Sequence, residues 1–431
     1  MYENLTLAEL KRGILAISPI AVFLVLYLVT SIVIGDFYKM PISIALLIAS
    51  LWAAISLKGR PLHKRIEIFS KGASGANVIY MIWIFILAGV FAYIARYTGA
   101  VEATVDITLH ALPSFLIIPG LFIITCFISM SIGTSVGTVV ALTPIAVEIA
   151  SNTNSSIPYF VAIVLGGAFF GDNLSFISDT TIAATRTQGC NMKDKFFANL
   201  RIVLPAALIA LALYCIMAPE ISFNMEQKGK NFILILPYLI VIGSAIAGIN
   251  VVIVLLIGIV SASIVGLLEG KDILQLAFVG GEGVDSVGGL IIITLLAAGM
   301  LGIIKETGGI DFILRLLGNN IKSSRGAQLT IAFLVGLVNL CTANNTVAIL
   351  TVGSVAKDIA GKFGIDPKRS ASILDTASCI TQALIPYGAQ SLMAASLAGI
   401  SPVASWQYLY YPQILIVVLF VSIFVKKRIR F

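Results

Sequence analysis

The most informative segment of the chain reads Gly171-Asp172-Asn173-Leu174-Ser175-Phe176-Ile177-Ser178-Asp179-Thr180-Thr181. Apolar runs flank it at 160–170 and 182–184. Two carboxylates inside an apolar stretch are costly to bury, so they indicate a functional site. Glycines before the segment, together with the serines and threonines within it, predict a helix that is interrupted there and offers oxygen ligands. Such hard donors favour a hard cation.

The composition of the whole chain places this segment in a membrane. Hydrophobic residues make up 58% of the 431 residues, charged residues make up 11%, and the mean hydropathy is +1.02. Apolar runs of about 20 residues, the length of a membrane-spanning helix, recur along the chain. The sequence therefore predicts an all-α polytopic membrane protein. The five cysteines are scattered without metal or disulfide spacing, and we interpret them as small apolar fillers.

The basic residues predict how the chain is oriented. Apolar length predicts about ten crossings, at 14–35, 40–57, 75–95, 158–190 (interrupted), 197–218, 231–248, 250–268, 287–304, 370–400 (interrupted) and 408–425. With a cytoplasmic N-terminus, the inner side receives all but five of the 28 basic residues, Lys195 among them. The exceptions are Lys39, Arg96, Lys228, Lys230 and Lys271. The positive-inside rule thus places 1–13 and the basic tail 426–431 in the cytoplasm. The net charge of +7 reflects this topology and does not indicate nucleic-acid binding.

Two further apolar stretches, 114–150 and 327–358, are polar at their centres. The first is interrupted by the run from Ser129 to Thr138 and the second by the run from Asn339 to Thr346. Non-helical backbone at membrane depth is tolerated only against protein or a wet cavity. We therefore predict two re-entrant hairpins whose tips line a transport path.

The two halves of the chain resemble each other. The segment from Ala88 to Gly99 parallels the segment from Ala298 to Gly308, and Pro158 falls on Pro367 at an offset of 209 residues. Each half, 14–218 and 231–425, then holds five crossings, one hairpin and one interrupted helix, with an external linker at 219–230. An odd number of crossings turns the second half upside down. The predicted fold is two inverted repeats, the organisation of a secondary transporter.

The interrupted helices and hairpin tips of both halves are predicted to meet near the centre of the bilayer. Under the 209 offset, Asp172 falls on Thr381, Asp179 falls on Gly388 and Asp375 falls on Gly166. Ion chemistry should therefore be concentrated in the first half, with Asp375 as a second acidic contribution and no Lys or Arg at the centre. The candidate ion- or substrate-binding residues are Thr134, Ser135, Thr138, Asp172, Asn173, Ser175, Ser178, Asp179, Thr180, Thr181, Asn344, Asn345, Thr346, Asp375, Ser378, Thr381 and Gln382.

Several of these residues also have a purely structural interpretation. Asp172 or Asp179 can cap a half-helix. The run from Asn344 to Thr346 can satisfy backbone groups of the hairpin. Asp375 can be the partner of a buried hydroxyl. Capping and ion binding can coexist at one residue.

At these positions the chain resembles the NhaC family of sodium/proton antiporters. The match is the pattern Gly171-Asp172-x-x-Ser175-x-x-Ser178-Asp179-Thr180-Thr181, and it departs at Phe176, where many relatives are expected to carry proline. The hairpins and broken helices resemble a wider ion-transporter superfamily, and the likeness covers nearly the whole chain. It implies a prokaryotic inner-membrane protein, a homodimer through 14–57 and 231–268, and sodium as transported ion without another cofactor.

The resemblance implies that protons and sodium compete for a buried carboxylate, which together with alternating access gives antiport. Asp172, Ser175 and Asp179 are the expected sodium ligands. On an unbroken helix the two carboxylates would lie about 10 Å apart, so the helix breaks between them or only one binds sodium. The alternative is a sodium- or proton-coupled carrier of a small organic acid or amino acid, bound at the tip from Asn344 to Thr346. An enzyme is not expected, because Phe169-Phe170-Gly171-Asp172 lacks the first glycine of an intramembrane aspartyl protease pattern.

Overall fold

A computed structural model describes residues 6–34, 41–57, 59–111, 113–175, 178–218, 232–318 and 321–424. These residues form helices and contain no strand. The linker 219–230, the tail 426–431 and Phe176 lie outside the described residues. The helices are α1 (Leu7–Ile34), α2 (Ile42–Ser56), α3 (Leu62–Ala73), α4 (Ala76–Tyr97), α5 (Ala100–Ala111), α6 (Ser114–Ile132), α7 (Ser135–Asn152), α8 (Ile157–Leu174), α9 (Asp179–Gln188), α10 (Met192–Ile216), α11 (Leu236–Ile246), α12 (Val251–Leu268), α13 (Ile273–Ser286), α14 (Gly288–Glu306), α15 (Gly309–Gly318), α16 (Ser324–Thr342), α17 (Asn345–Lys362), α18 (Pro367–Leu384), α19 (Ala389–Ala398) and α20 (Tyr410–Phe424).

Length and composition of the helices confirm an all-α polytopic membrane protein. Within the described ranges, nine helical segments are long and apolar enough to cross a membrane, and three more apolar helices are shorter. Every predicted crossing contains a helix. Four additional helices, α3, α5, α13 and α15, were not predicted, because at 10 to 14 residues they are shorter than a crossing.

Polar sequence interrupts the helices where the hairpins were predicted. Gly133, with φ of 74°, ends α6, and α7 begins two residues later. Ala343 ends α16 in the same left-handed conformation, with φ of 47°, and α17 follows. The arms α6 and α7 both pack on α8, and the arms α16 and α17 both pack on α18. Each helix pair therefore turns next to the broken helix that follows it. The inverted orientation of the halves stays a prediction.

Helix boundaries give the register between the halves. Four pairs of helices begin 210 residues apart, namely α6 and α16, α7 and α17, α8 and α18, and α9 and α19. The predicted offset of 209 is therefore wrong by one residue in this region. The offset of 209 comes from aligning Pro158 with Pro367. Pro158 is the second residue of α8, whereas Pro367 is the first residue of α18. Proline fits either place, because the first helical turn needs no N–H from it.

The corrected register changes which residues correspond. Asp172 matches Gln382 instead of Thr381. Asp179 matches Ala389 instead of Gly388, and Asp375 matches Leu165 instead of Gly166. In the corrected register, the acidic residues of the first broken helix still correspond to neutral residues in the second.

The early helices of each half pack on the other half. In the first half α2 and α3 contact α14, and in the second half α12 and α13 contact α4. Small residues allow this approach: a Cβ on Gly72 would lie 2.7 Å from the Ala298 carbonyl oxygen, and a Cβ on Gly283 would lie 2.6 Å from the Gly89 carbonyl oxygen. The two halves are therefore interlocked through their early helices.

Candidate functional site

The break between α8 and α9 is organised by hydroxyl groups. Ser178 caps α9 by accepting a hydrogen bond from the Thr181 N–H at 3.3 Å. The Thr180 hydroxyl donates to the Asp172 carbonyl oxygen at 3.2 Å, and the Thr181 hydroxyl donates to the Ser175 carbonyl oxygen at 2.8 Å. These bonds satisfy carbonyl groups that the end of α8 leaves without helical partners. The helix thus breaks between the two carboxylates, as one of the sequence alternatives required.

The side chain of Asp172 points to the first hairpin tip. It is 4% exposed and accepts a hydrogen bond from the Ser135 N–H at 3.0 Å and a second from the Ser135 hydroxyl. Ser135 is the first residue of α7, whose N-terminal amide would otherwise lack a helical partner. Asp172 therefore caps a neighbouring helix.

A chain of hydrogen bonds continues from Ser135 into the second half. The Gln390 side-chain amide donates to the Ser135 hydroxyl at 2.9 Å, and Gln382 donates to the Gln390 side-chain oxygen at 3.0 Å. Gln382 also donates to the carbonyl oxygen of Ala343, at the second hairpin tip, at 3.0 Å. The two hairpin tips and both broken helices are thereby connected. Gln390 was not predicted, although it is the counterpart of Thr180 in the corrected register.

Both tips and both broken helices line one cavity of about 380 Å³. The exposed carboxylate of Asp179 and the buried carboxylate of Asp172 both face it. Asn344 caps α17, since its side chain accepts from the Val347 N–H at 2.9 Å. The predicted residues that line the cavity are Thr134, Ser135, Asp172, Asp179, Thr180, Asn344, Asn345, Thr346 and Gln382.

Other predicted residues lie away from the cavity lining. The hydroxyls of Thr138, Ser378 and Thr381 donate to carbonyl oxygens of their own helices, at 3.0, 2.9 and 3.0 Å. The remaining five are buried behind the cavity wall, and they are Asn173, Ser175, Ser178, Thr181 and Asp375. The structure thus brings part of the predicted set together and separates the rest.

Lys195 contradicts the sequence analysis. It was assigned to the inner basic face, and no Lys or Arg was expected at the centre, yet its side chain is 1% exposed. Its ammonium lies 2.7 Å from an Asp375 carboxylate oxygen, 2.9 Å from the Asn173 carbonyl oxygen and 2.6 Å from the Thr181 hydroxyl. Asn199 donates to the same Asp375 oxygen at 2.7 Å. Asp375 is therefore paired with a cation and an amide, and not mainly with a hydroxyl.

A sequence signal for this pair did exist. Lys195 and Asn199 are four residues apart and so share one face of α10, which is otherwise largely apolar beyond its first turn. A buried carboxylate such as Asp375 requires a partner, because an unpaired charge is expensive inside a protein. The two observations together could have joined α10 to α18.

Two similar halves that each place a hairpin tip and a broken helix at one polar cavity with a buried carboxylate define a secondary transporter of the membrane. Comparison with known sequences identifies the family of transporters to which the chain belongs. The chain belongs to the Na+/H+ antiporter family, whose sequence model matches it twice, at residues 2–219 and 218–425. The two matches divide the chain between the same halves that the helix register defines.

Individual relatives differ in their cargo. The chain is 25% identical to the Na+/H+ antiporter NhaC of Bacillus subtilis over 81% of its own length and 85% of the relative. It is also 25% identical to the arginine/ornithine antiporter ArcD of Halobacterium salinarum, over 81% of its own length and 79% of the relative. It is 20% identical to the malate-2H+/Na+-lactate antiporter of Bacillus subtilis, over 65% of its own length and 67% of the relative. All three are antiporters.

Proposed function

We propose that this protein exchanges sodium for protons across a prokaryotic cell membrane by alternating access. The observation that carries the proposal is Asp172, a buried carboxylate that faces a cavity built by both halves. A proton or a sodium ion can neutralise it, and each excludes the other. Competition at one carboxylate that is exposed to the two sides in turn produces antiport.

Asp172 and Asp179 are the proposed carboxylate ligands of sodium, because both line the cavity. Ser175 lies behind the cavity wall in the conformation described, so its proposed ligation requires a rearrangement of the break. The halves are proposed to lie inverted with both termini in the cytoplasm. A homodimer through the surfaces of 14–57 and 231–268 is part of the same proposal.

The decisive test is Asp172→Asn in liposomes that contain an internal pH indicator. An asparagine at 172 retains an oxygen acceptor for the Ser135 N–H but has no exchangeable charge. We therefore expect a folded protein in which an imposed sodium gradient no longer moves protons. Asp285→Asn, an exposed carboxylate on α13, is the matched control and should retain exchange. Wild-type exchange by the Asp172→Asn variant would rule out the assignment.

A second candidate function is exchange of a small organic acid or amino acid coupled to sodium or protons. The cavity of about 380 Å³ is much larger than a bare ion, and neutral amides of Asn344, Asn345 and Gln382 line it. Two of the relatives carry names that specify organic cargo.

Asn345→Ala separates the two candidates. For sodium and protons alone we expect a partial loss of exchange, because one neutral hydrogen-bonding group costs about 1–3 kcal/mol and the carboxylate chemistry remains. For an organic cargo, the same variant should lose solute uptake. In the wild type, that solute should also change the calorimetric sodium affinity, since linkage is reciprocal. A solute that shifts the sodium affinity several-fold would favour the second candidate.

A further inference from the structure

The ammonium of Lys195 sits in surroundings that resemble an alkali-cation site. Its three contacts are a backbone carbonyl oxygen of Asn173, the Thr181 hydroxyl and an Asp375 carboxylate oxygen. All three are hard oxygen donors of the kind that bind hard cations in proteins. The ammonium has three hydrogens, so each contact can be one directed hydrogen bond.

These contacts join separate parts of the molecule. Asn173 belongs to the last turn of α8 and Thr181 to the first turn of α9, so the ammonium bridges the break from one side to the other. Asp375 comes from α18 in the second half. A single positive charge thus holds the first broken helix to the second.

The donor set extends beyond the three contacts. The second carboxylate oxygen of Asp375 is buried and has no hydrogen-bond partner within the described part of the chain. The side-chain oxygens of Asn173 and Asn199 are likewise buried without such a partner among the residues described. Buried acceptors without donors are costly, and a cation that is free to approach them would recover this cost.

The second half lacks the same arrangement. In the corrected register Asp375 corresponds to Leu165 and Thr181 to Ser391. The register does not extend to Lys195, because α10 and α20 begin 218 residues apart. Ser391 is buried, and its hydroxyl has no partner in the described ranges. Among the described residues no ion pair involves the second break at 385–388, so the charged pair is a feature of the first break.

We propose that Lys195 is a built-in substitute for a bound alkali cation, and that removing its ammonium opens a second sodium site at Asp375. In the wild type the tethered charge neutralises Asp375 permanently. If the proposed function is correct, Asp375 then takes no part in exchange, and the exchangeable cation binds at Asp172 and Asp179 in the cavity. That consequence rests on the proposed function. The second sodium site at Asp375, called the latent site below, does not.

The test counts sodium ions bound to purified protein by calorimetry, with choline as the inert cation. Lys195→Ala should bind one more sodium ion per chain than the wild type, whatever the wild-type number is. The double variant Lys195→Ala, Asp375→Asn should return to the wild-type number. Lys193→Ala, an exposed lysine on the same helix, should leave the number unchanged.

Three results would overturn the proposal. They are an unchanged sodium number in Lys195→Ala, an additional ion that persists in the double variant, and a Lys195→Ala protein that does not fold even in about 0.5 M sodium. A wild type that binds no sodium would instead count against the proposed function. In that case one ion bound to Lys195→Ala would still support the latent site.

Discussion

Asp172 has both of its carboxylate oxygens engaged by a single residue. The Ser135 N–H and hydroxyl each donate to one oxygen, and the hydroxyl in turn accepts from Gln390. Donors of this kind stabilise a carboxylate more than its protonated form. In the proposed mechanism, Ser135 therefore tunes the competition between proton and sodium at Asp172 through these two hydrogen bonds.

Ser135→Ala should shift exchange to higher pH. The variant keeps the backbone bond and loses the hydroxyl bond, so the protonated form of Asp172 gains relative to the ionised form. A hydrogen bond to a charged group contributes about 1.5–3 kcal/mol, which corresponds to roughly one to two pH units. The measurement is the pH of half-maximal sodium-driven proton flux in liposomes.

Ser131→Ala is the matched control, because the Ser131 hydroxyl near the same tip donates to the Phe127 carbonyl oxygen of its own helix, at 2.8 Å. Its pH profile should coincide with that of the wild type. An unshifted profile in Ser135→Ala would show that the hydroxyl does not act on the carboxylate.

Each hairpin is attached to its broken helix by an equivalent bond. The Ser129 hydroxyl donates to the Ala168 carbonyl oxygen at 2.6 Å, and 210 residues later the Asn339 amide donates to the Ser378 carbonyl oxygen at 2.8 Å. On the first side Gly171 brings the helices closer still. A Cβ on Gly171 would lie 2.4 Å from the Ser129 carbonyl carbon, which is backbone and cannot rotate away.

Gly171→Ala should therefore destabilise the packing of α6 on α8. Overpacking of a tight interface typically costs about 1–3 kcal/mol, and backbone contact places this site at or above the upper value. The measurement is thermal unfolding of the purified protein in detergent. Gly243→Ala on α11, where an added Cβ meets nothing within 4 Å, should unfold at the wild-type temperature. Equal unfolding temperatures for the two variants would contradict the close approach.

Local composition explains why the breaks and tips could be predicted. Glycine, serine, threonine and asparagine inside apolar runs mark positions where the backbone leaves the helix, and α7, α9 and α17 begin there. The helices α3 and α13 are too short to be predicted as crossings, and the glycine contacts that hold them against the opposite half leave no signal in apolar length. Asn344 and Ser178 are caps, as their residue types favour.

Tertiary proximity explains what could not be predicted. Lys195 lies 180 residues before Asp375 in sequence, and a count of basic residues by loop assigns it to the membrane surface. Only the packing of α10 on α18 brings the two together. Thr138, Ser378 and Thr381 have side chains suited to bind an ion. Their positions on the helices direct these side chains away from the cavity, where their hydroxyls donate to carbonyl oxygens of their own helices.

The orientation of the protein in the membrane can be measured by cysteine labelling. Cysteines that replace Lys64 and Lys362 should react only with thiol reagents that reach the cytoplasm, because the positive-inside rule places both there. A cysteine that replaces Lys271, between α12 and α13, should react with impermeant external reagents. The background is a variant without the five native cysteines. External labelling at position 362 would contradict the inverted arrangement of the halves.

The interlocked packing of α3 with α14 and of α13 with α4 also governs biosynthesis. When the ribosome has completed α4, the surface around Gly89 has no cover, because α13 has not been made. Until then, the small-residue surfaces of the first half are exposed to lipid or to chaperones. The packing of the two halves against each other is complete only after α13 and α14 have been made. Two separately encoded fragments, divided in the linker 219–230, should accumulate only when a cell synthesises both.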